Sequence, residues 1–252
     1  MEKILVSEEF EYNNQLVLIS GGSATGKSAS LRDIQNQKDW MYLNCESGKR
    51  LPFKNDFRTF NITDPYQVWQ GFDYATSKED VAGVIVDTTT FLMEMFEMQY
   101  VRNAQNTQAA WGDYGAFFRT LMQQKVPLFG RPTIMLGHTV AVFNDAMMRY
   151  DVSVPVKGAL KNQGIEAFFS TVVSTKKMTL KELEPYLKES NQLLTVTEDE
   201  EILGYKHVFQ TRLTKETVGE RIRSPMGMFT REETFMDNNA HLLMQRLKDF
   251  YQ

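Results

Sequence analysis

Residues Gly21 to Ser28 read GGSATGKS and match the pattern G-x-x-x-x-G-K-[ST] at every fixed position. Such a loop has to be entered from a buried strand and left through the start of a helix, so it constrains the fold around it. Gln15 to Ser20 is a short apolar run of strand type, and Ala29 to Ile34 can continue a helix. Gly21, Gly22 and Gly26 let the backbone close around an anion with no Cβ in the way. The N–H groups along Ser23, Ala24 and Thr25 can then face it. In that setting Lys27 is placed to contact the β and γ phosphates of a nucleotide, and Ser28 to put its hydroxyl on Mg²⁺, a cation that prefers hard oxygen ligands. The expectation is an α/β chain with a nucleotide at the C-terminal edge of a mostly parallel sheet flanked by helices.

With 252 residues, 42% of them hydrophobic and 24% charged, the chain can bury a sizeable core without requiring a second domain. No apolar run approaches a membrane span, and Met1-Glu2-Lys3 does not resemble a signal peptide, so a cytoplasmic protein with no membrane partner is expected. The lone Cys45 excludes an internal disulfide, and His138, His207 and His241 are too far apart in sequence for zinc-ligand spacing. Metal chemistry would then come with the nucleotide. A formal charge of −4 argues against a uniformly basic nucleic-acid-coating surface, while leaving room for local basic loops.

Along the chain, Ile4, Val6 and Phe10 suggest a leading strand between Lys3 and Tyr12. Trp40 to Glu46 is an apolar strand with Glu46 at its C-terminal end, the edge at which ligands bind in open parallel sheets. Ala82 to Asp87 is another, and Asp87 at its tip reads either as a Walker B acid serving Mg²⁺ or as the cap of the helix that follows. Thr133 to His138 is a third, where His138 is either a γ-phosphate sensor or a hydrogen-bonded strand end. Thr139 to Gln163, with Arg149, Lys157 and Lys161, shows no periodicity and reads as a long loop. Residues 181–206 read as a charged surface insertion. His207 to Leu213 and Glu220 to Pro225 read as a β hairpin carrying Arg212 and Lys215, and residues 239–252 as a C-terminal helix.

The order of these acids decides among nucleotide-binding classes. Asp87 is followed by Thr88 where AAA-type ATPases usually carry Glu, and no N-K-x-D motif marks guanine, so adenine is favoured. Phosphate loop, strand-end Glu46, Asp87 and strand-end His138 in that sequence resemble the RecA-like ATPase core, over about residues 16–225. The resemblance implies ATP and Mg²⁺ as cofactors, Lys27 and Ser28 on the phosphates and metal, Glu46 as the water-positioning base, and His138 as sensor in a place where the family often has Gln. It also implies DNA-binding loops at Arg102 to Gly112 and after His138, with Arg149, Lys157 and Lys161 as candidates. Arg212 or Lys215 would reach a neighbouring subunit's nucleotide; on an alternating strand only one of the two points that way. The short chain is most similar to the small RecA-like ATPases of bacteriophages, including the Sak-type single-strand annealing proteins. That resemblance implies a single RecA-like domain over 1–252. It also implies a homo-oligomer (ring or filament) on single-stranded DNA in recombination, annealing or repair within a bacterial host's cytoplasm, with a single-stranded DNA-binding protein as a possible partner. Two alternatives stand beside it: a nucleotide-binding annealing protein with little hydrolysis, and a P-loop motor or kinase independent of DNA.

Overall fold

The computed structural model describes residues 13–252, so the strand expected between Lys3 and Tyr12 lies outside the described residues. In chain order the strands are β1 (Leu16–Gly21), β2 (Trp40–Asn44), β3 (Arg58–Asn61), β4 (Gly83–Asp87), β5 (Thr133–His138), β6 (Val140–Asn144), β7 (Arg149–Ser153), β8 (Thr171–Thr179), β9 (Tyr205–Gln210) and β10 (Phe235–Asp237). The helices are α1 (Tyr66–Thr76), α2 (Thr89–Phe96), α3 (Thr107–Thr120), α4 (Val126–Phe129), α5 (Leu160–Gln163), α6 (Leu180–Leu183), α7 (Glu198–Leu203) and α8 (Ala240–Tyr251).

One sheet runs in the order β10-β9-β8-β1-β5-β4-β2-β3. Every neighbour from β8 across to β3 is parallel, whereas β9 and β10 join antiparallel. The result is a mostly parallel sheet flanked by helices, the arrangement expected of a RecA-like core, with antiparallel strands contributed by the C-terminal part. The central strands β1, β4 and β5 are rich in apolar residues and buried at nearly every position because both faces are covered. Leu18, Val84, Val86, Met135 and Val172 face the side of α1, α2 and α3. Their neighbours Val17, Ile85, Ile134 and Val173 pack with Leu31 and with Leu243 and Leu247 of α8 on the other. Alternation along each strand thus splits one sheet between two cores.

Register brings the chemical residues to one edge. Gly21 stands opposite His138 in the β1–β5 pair, and Asn44 opposite Asp87 in the β2–β4 pair. No helix among the described residues is long and apolar enough to cross a membrane.

Several local expectations are corrected. The phosphate loop leads into a single 3-10 turn, Ser28–Leu31, instead of a helix reaching Ile34. Ser30 Oγ donates to Lys27 O at 2.6 Å, a local bond that competes with helix continuation. Thr139 to Gln163 is not a structureless loop: β6 and β7 pair as an antiparallel ribbon, followed by α5. The ribbon has no core-facing side, with Val140, Val142, Phe143 and Tyr150 all exposed, so it carries no burial alternation by which to recognise it. The expected 207–225 hairpin is also absent. The strand containing His207 lies between β8 and β10, while Glu220 and Arg223 make single bridges to Val152 and Val172. Arg212 and Lys215 therefore sit in the turn segment beyond β9. Residues 180–204 form the helical connection between adjacent strands β8 and β9, closed over a small cluster of Leu183, Leu194, Val208 and Phe235.

Candidate active site

The phosphate loop leaves β1 at the sheet edge and turns through Gly26 at φ +101°, a conformation that favours glycine. A Cβ there would also meet Asn238 Nδ2 at 2.6 Å. Among the described residues, no backbone N–H from Ser23 to Lys27 donates to a protein acceptor, which leaves this row of donors to an anion. Lys27 is buried and donates to the carbonyls of Gly21 at 3.0 Å and Gly22 at 2.6 Å. Burial pulls its ammonium down to about 8, against the opposing pull of Asp87 and Glu46.

Asp87, only 1% exposed, ends β4. Its Oδ2 accepts from Ser28 Oγ at 3.0 Å and from the Tyr42 hydroxyl at 2.7 Å. Burial raises the pKa of its carboxyl and, with Asp87 beside it, that of the Tyr42 phenol. Asp87 Oδ1 is buried and has no hydrogen-bond partner. An orphaned carboxylate oxygen beside a serine hydroxyl is a hard-oxygen set that fits Mg²⁺. The capping alternative for Asp87 fails, because Thr88 is the N-cap of α2 and accepts from Phe91 N. One strand, β5, intervenes between the phosphate-loop strand and the Asp87 strand.

Glu46 lies just past β2 with its side chain 8% exposed. Its Oε1 meets His138 Nε2 at 3.2 Å, and its Oε2 accepts from Lys49 Nζ at 2.7 Å. The His138 bond foremost, helped by Lys49 and opposed by burial, holds the carboxyl down at about 2. The turn that carries it is fixed by Asn44, which accepts from Glu46 N and donates to Lys49 O, both at 2.9 Å. His138 packs edge-on against Phe91 and donates its backbone N–H to Thr90 Oγ1 at 2.9 Å. It is separated by one residue from the exposed β6–β7 ribbon.

These groups line a cleft of about 640 Å³ whose far wall comes from the C-terminal strands. His207 Nδ1 bonds Thr25 O at 3.0 Å, and Asn238 Nδ2 donates to Gly26 O at 2.9 Å, so both hold the phosphate loop from the C-terminal wall of the cleft. Asn238, Tyr42 and Lys49 escaped the sequence reading. Tyr42 is detectable in retrospect as a polar tip within an apolar strand, whereas nothing local links Asn238 to a loop that precedes it by 212 residues. Asn238→Ala is expected to weaken ATP affinity about fivefold, the size of one hydrogen bond, in a fluorescent-nucleotide titration. Unchanged affinity would mean that the loop holds its shape without this support.

The other sequence candidates lie outside the cleft. Arg212 donates to Phe229 O at 2.7 Å, and Lys215 is 91% exposed with Glu216 at 3.7 Å. Arg149 pairs with Asp151 at 2.9 Å on the ribbon. Lys157 donates to both oxygens of Glu97, and Lys161 is exposed on α5.

No family model matches the sequence, and no curated protein does. Among solved structures, the crystal structure of the RadB recombinase is similar at 14% identity and a TM-score of 0.40, over 66% of this chain and 76% of that one.

Proposed function

We propose that this chain binds ATP with Mg²⁺ and hydrolyses it as a RecA-like ATPase working on single-stranded DNA. The observation that carries the reading is Glu46. It is an ionised carboxylate held by two partners at the sheet edge that also bears Lys27, Ser28 and Asp87.

The phosphate loop's free N–H groups and Lys27 bind the polyphosphate, and Lys27 offsets charge on the γ phosphate as the bond to the leaving oxygen breaks. Ser28 and Asp87 would hold Mg²⁺, which supplies further charge neutralisation when bound. Glu46 orients a water for in-line attack. Its low pKa suits orientation better than net proton uptake. His138 reports the state of the site to the ribbon that follows it.

The ribbon supports the DNA part of the reading. Phe143 and Tyr150 are exposed and meet edge-on at 5.2 Å, offering faces on which bases can stack. Arg149, Lys157 and Lys161 follow as backbone contacts. Arg212 or Lys215 is assigned to a neighbouring subunit's nucleotide in a homo-oligomer. Membership among the phage annealing and recombination ATPases, with the bacterial cytoplasm as its place, completes the proposal.

The test is phosphate release by the purified chain with and without single-stranded DNA, with Lys27→Ala as control. DNA-stimulated turnover that Lys27→Ala abolishes is the expected result. Turnover indifferent to DNA would favour a motor or kinase, and tight ATP binding without turnover an annealing protein with a structural nucleotide.

A further inference from the structure

Beside the nucleotide cleft lies a second cavity of about 710 Å³, between the tips of β2 and β3 and the segment 48–55. Its lining includes Lys49, Arg50 and Lys54 and no carboxylate, in a chain with more acids than bases. Asn44, Asn61 and Thr59 add neutral polar groups to the same wall. Lys49 has Glu46 as its partner, on the cleft side. Arg50 and Lys54 are exposed and, among the described residues, form no ion pair. Glu46 balances Lys49, but Arg50 and Lys54 share this concavity with no counter-charge among the described residues; they repel one another, and an anion placed between them relieves that repulsion.

The scaffold is set in advance. Ser47 and Gly48 take positive φ of 53° and 76°, and Asn44 fixes the turn from both sides, so the segment leading into Arg50 does not have to order on binding. The volume exceeds what one phosphate needs and falls in the range of sites for small organic ligands. Tyr42, Lys49 and Arg50 line both cavities, so an occupant here stands next to the nucleotide site.

We propose that this cavity is a binding site for a phosphate-bearing, nucleotide-sized group, gripped by Lys49, Arg50 and Lys54. The group is either a unit of a single-stranded nucleic-acid backbone or a free phosphorylated small molecule. The first source rests on the DNA-dependent reading above; the second does not.

The experiment uses the full chain saturated with a non-hydrolysable ATP analogue and Mg²⁺, so that the phosphate loop is filled. The parent is compared with Arg50→Ala/Lys54→Ala. In one arm a fluorescein-labelled oligothymidylate is titrated by anisotropy across salt. In the other, the thermal midpoint is followed with inorganic phosphate against chloride at matched ionic strength.

For a nucleic-acid backbone, the variant should bind the oligonucleotide about tenfold more weakly, with a log–log salt slope shallower by about 1.4, two phosphate contacts at ~0.7 each. For a small phosphorylated ligand, oligonucleotide binding is unchanged while the stabilisation by phosphate disappears. Parent behaviour in both arms overturns the site. Both side chains are exposed and, among the described residues, form no ion pair, so the unliganded variant should melt with the parent, and Arg50→Lys/Lys54→Arg should keep binding. The readouts are binding alone, so a chain that never hydrolyses ATP would defeat the proposed function and leave this test intact.

Discussion

Glu46→Gln should lower kcat for ATP hydrolysis by about 10²-fold or more, the cost of losing the orientation of a reacting group, while leaving ATP binding in place. The substitution keeps the shape of the side chain and removes its charge. The charge is what the surroundings are built to hold: His138 Nε2 at 3.2 Å and Lys49 Nζ at 2.7 Å both stabilise the ionised form. The sign of the pH effect follows. A carboxyl held at about 2, below its ordinary value, contributes stability that is present above the ordinary carboxylate range and is lost as pH falls through about 2. Glu46 is therefore ionised across the ordinary assay range, and an acid limb of hydrolysis between pH 5 and 7 must come from another group. Phosphate release and equilibrium nucleotide binding, measured on the same preparation, separate the two effects. A variant that turns over at the parent rate removes Glu46 from the mechanism.

Phe96→Ala is expected to destabilise the fold by about 3–5 kcal/mol, the cost of truncating a fully buried phenylalanine. Phe96 is 1% exposed and touches Tyr66, Tyr100, Tyr114 and Phe117 at centroid distances of 5.8, 5.2, 6.0 and 4.9 Å. It ties α2 to α1 and α3, so the cavity left behind would be bordered by rings on three elements that cannot all move in. At about 2–4 °C per kcal/mol for a chain of this size, the midpoint should fall by roughly 10 °C. Urea melts provide the check, with the slope unchanged if only stability is affected. A loss below about 1 kcal/mol would show that the aromatic cluster repacks around the gap.

Parts of the molecule differ in how visible they are in sequence. Glu46, Asp87 and His138 could be named because each closes an apolar run, and parallel strands present their C-terminal ends at one edge. The structure gathers them with Lys27 and Ser28 around one cleft. The β6–β7 ribbon was missed for the complementary reason: it lies on no core, and a strand without a buried face leaves no alternating pattern. The helix expected after the phosphate loop is a short 3-10 turn ending at Leu31, within which the Ser30 hydroxyl bonds locally to the backbone of Lys27.

What the amino-acid sequence determined by itself is therefore local: the phosphate loop, the apolar strands that deliver acids and a histidine to their ends, and the α/β class that such a series implies. Tertiary structure alone decided which distant groups complete the site. His207 and Asn238 reach the phosphate loop because β9 and β10 add antiparallel to the far side of β8, a pairing set by long-range packing. Lys49 and Tyr42 acquire their roles through partners, Glu46 and Asp87, whose positions depend on strand order and register. Periodicity records which side of an element is buried, but the identity of the neighbour across that surface depends on the whole chain packing at once.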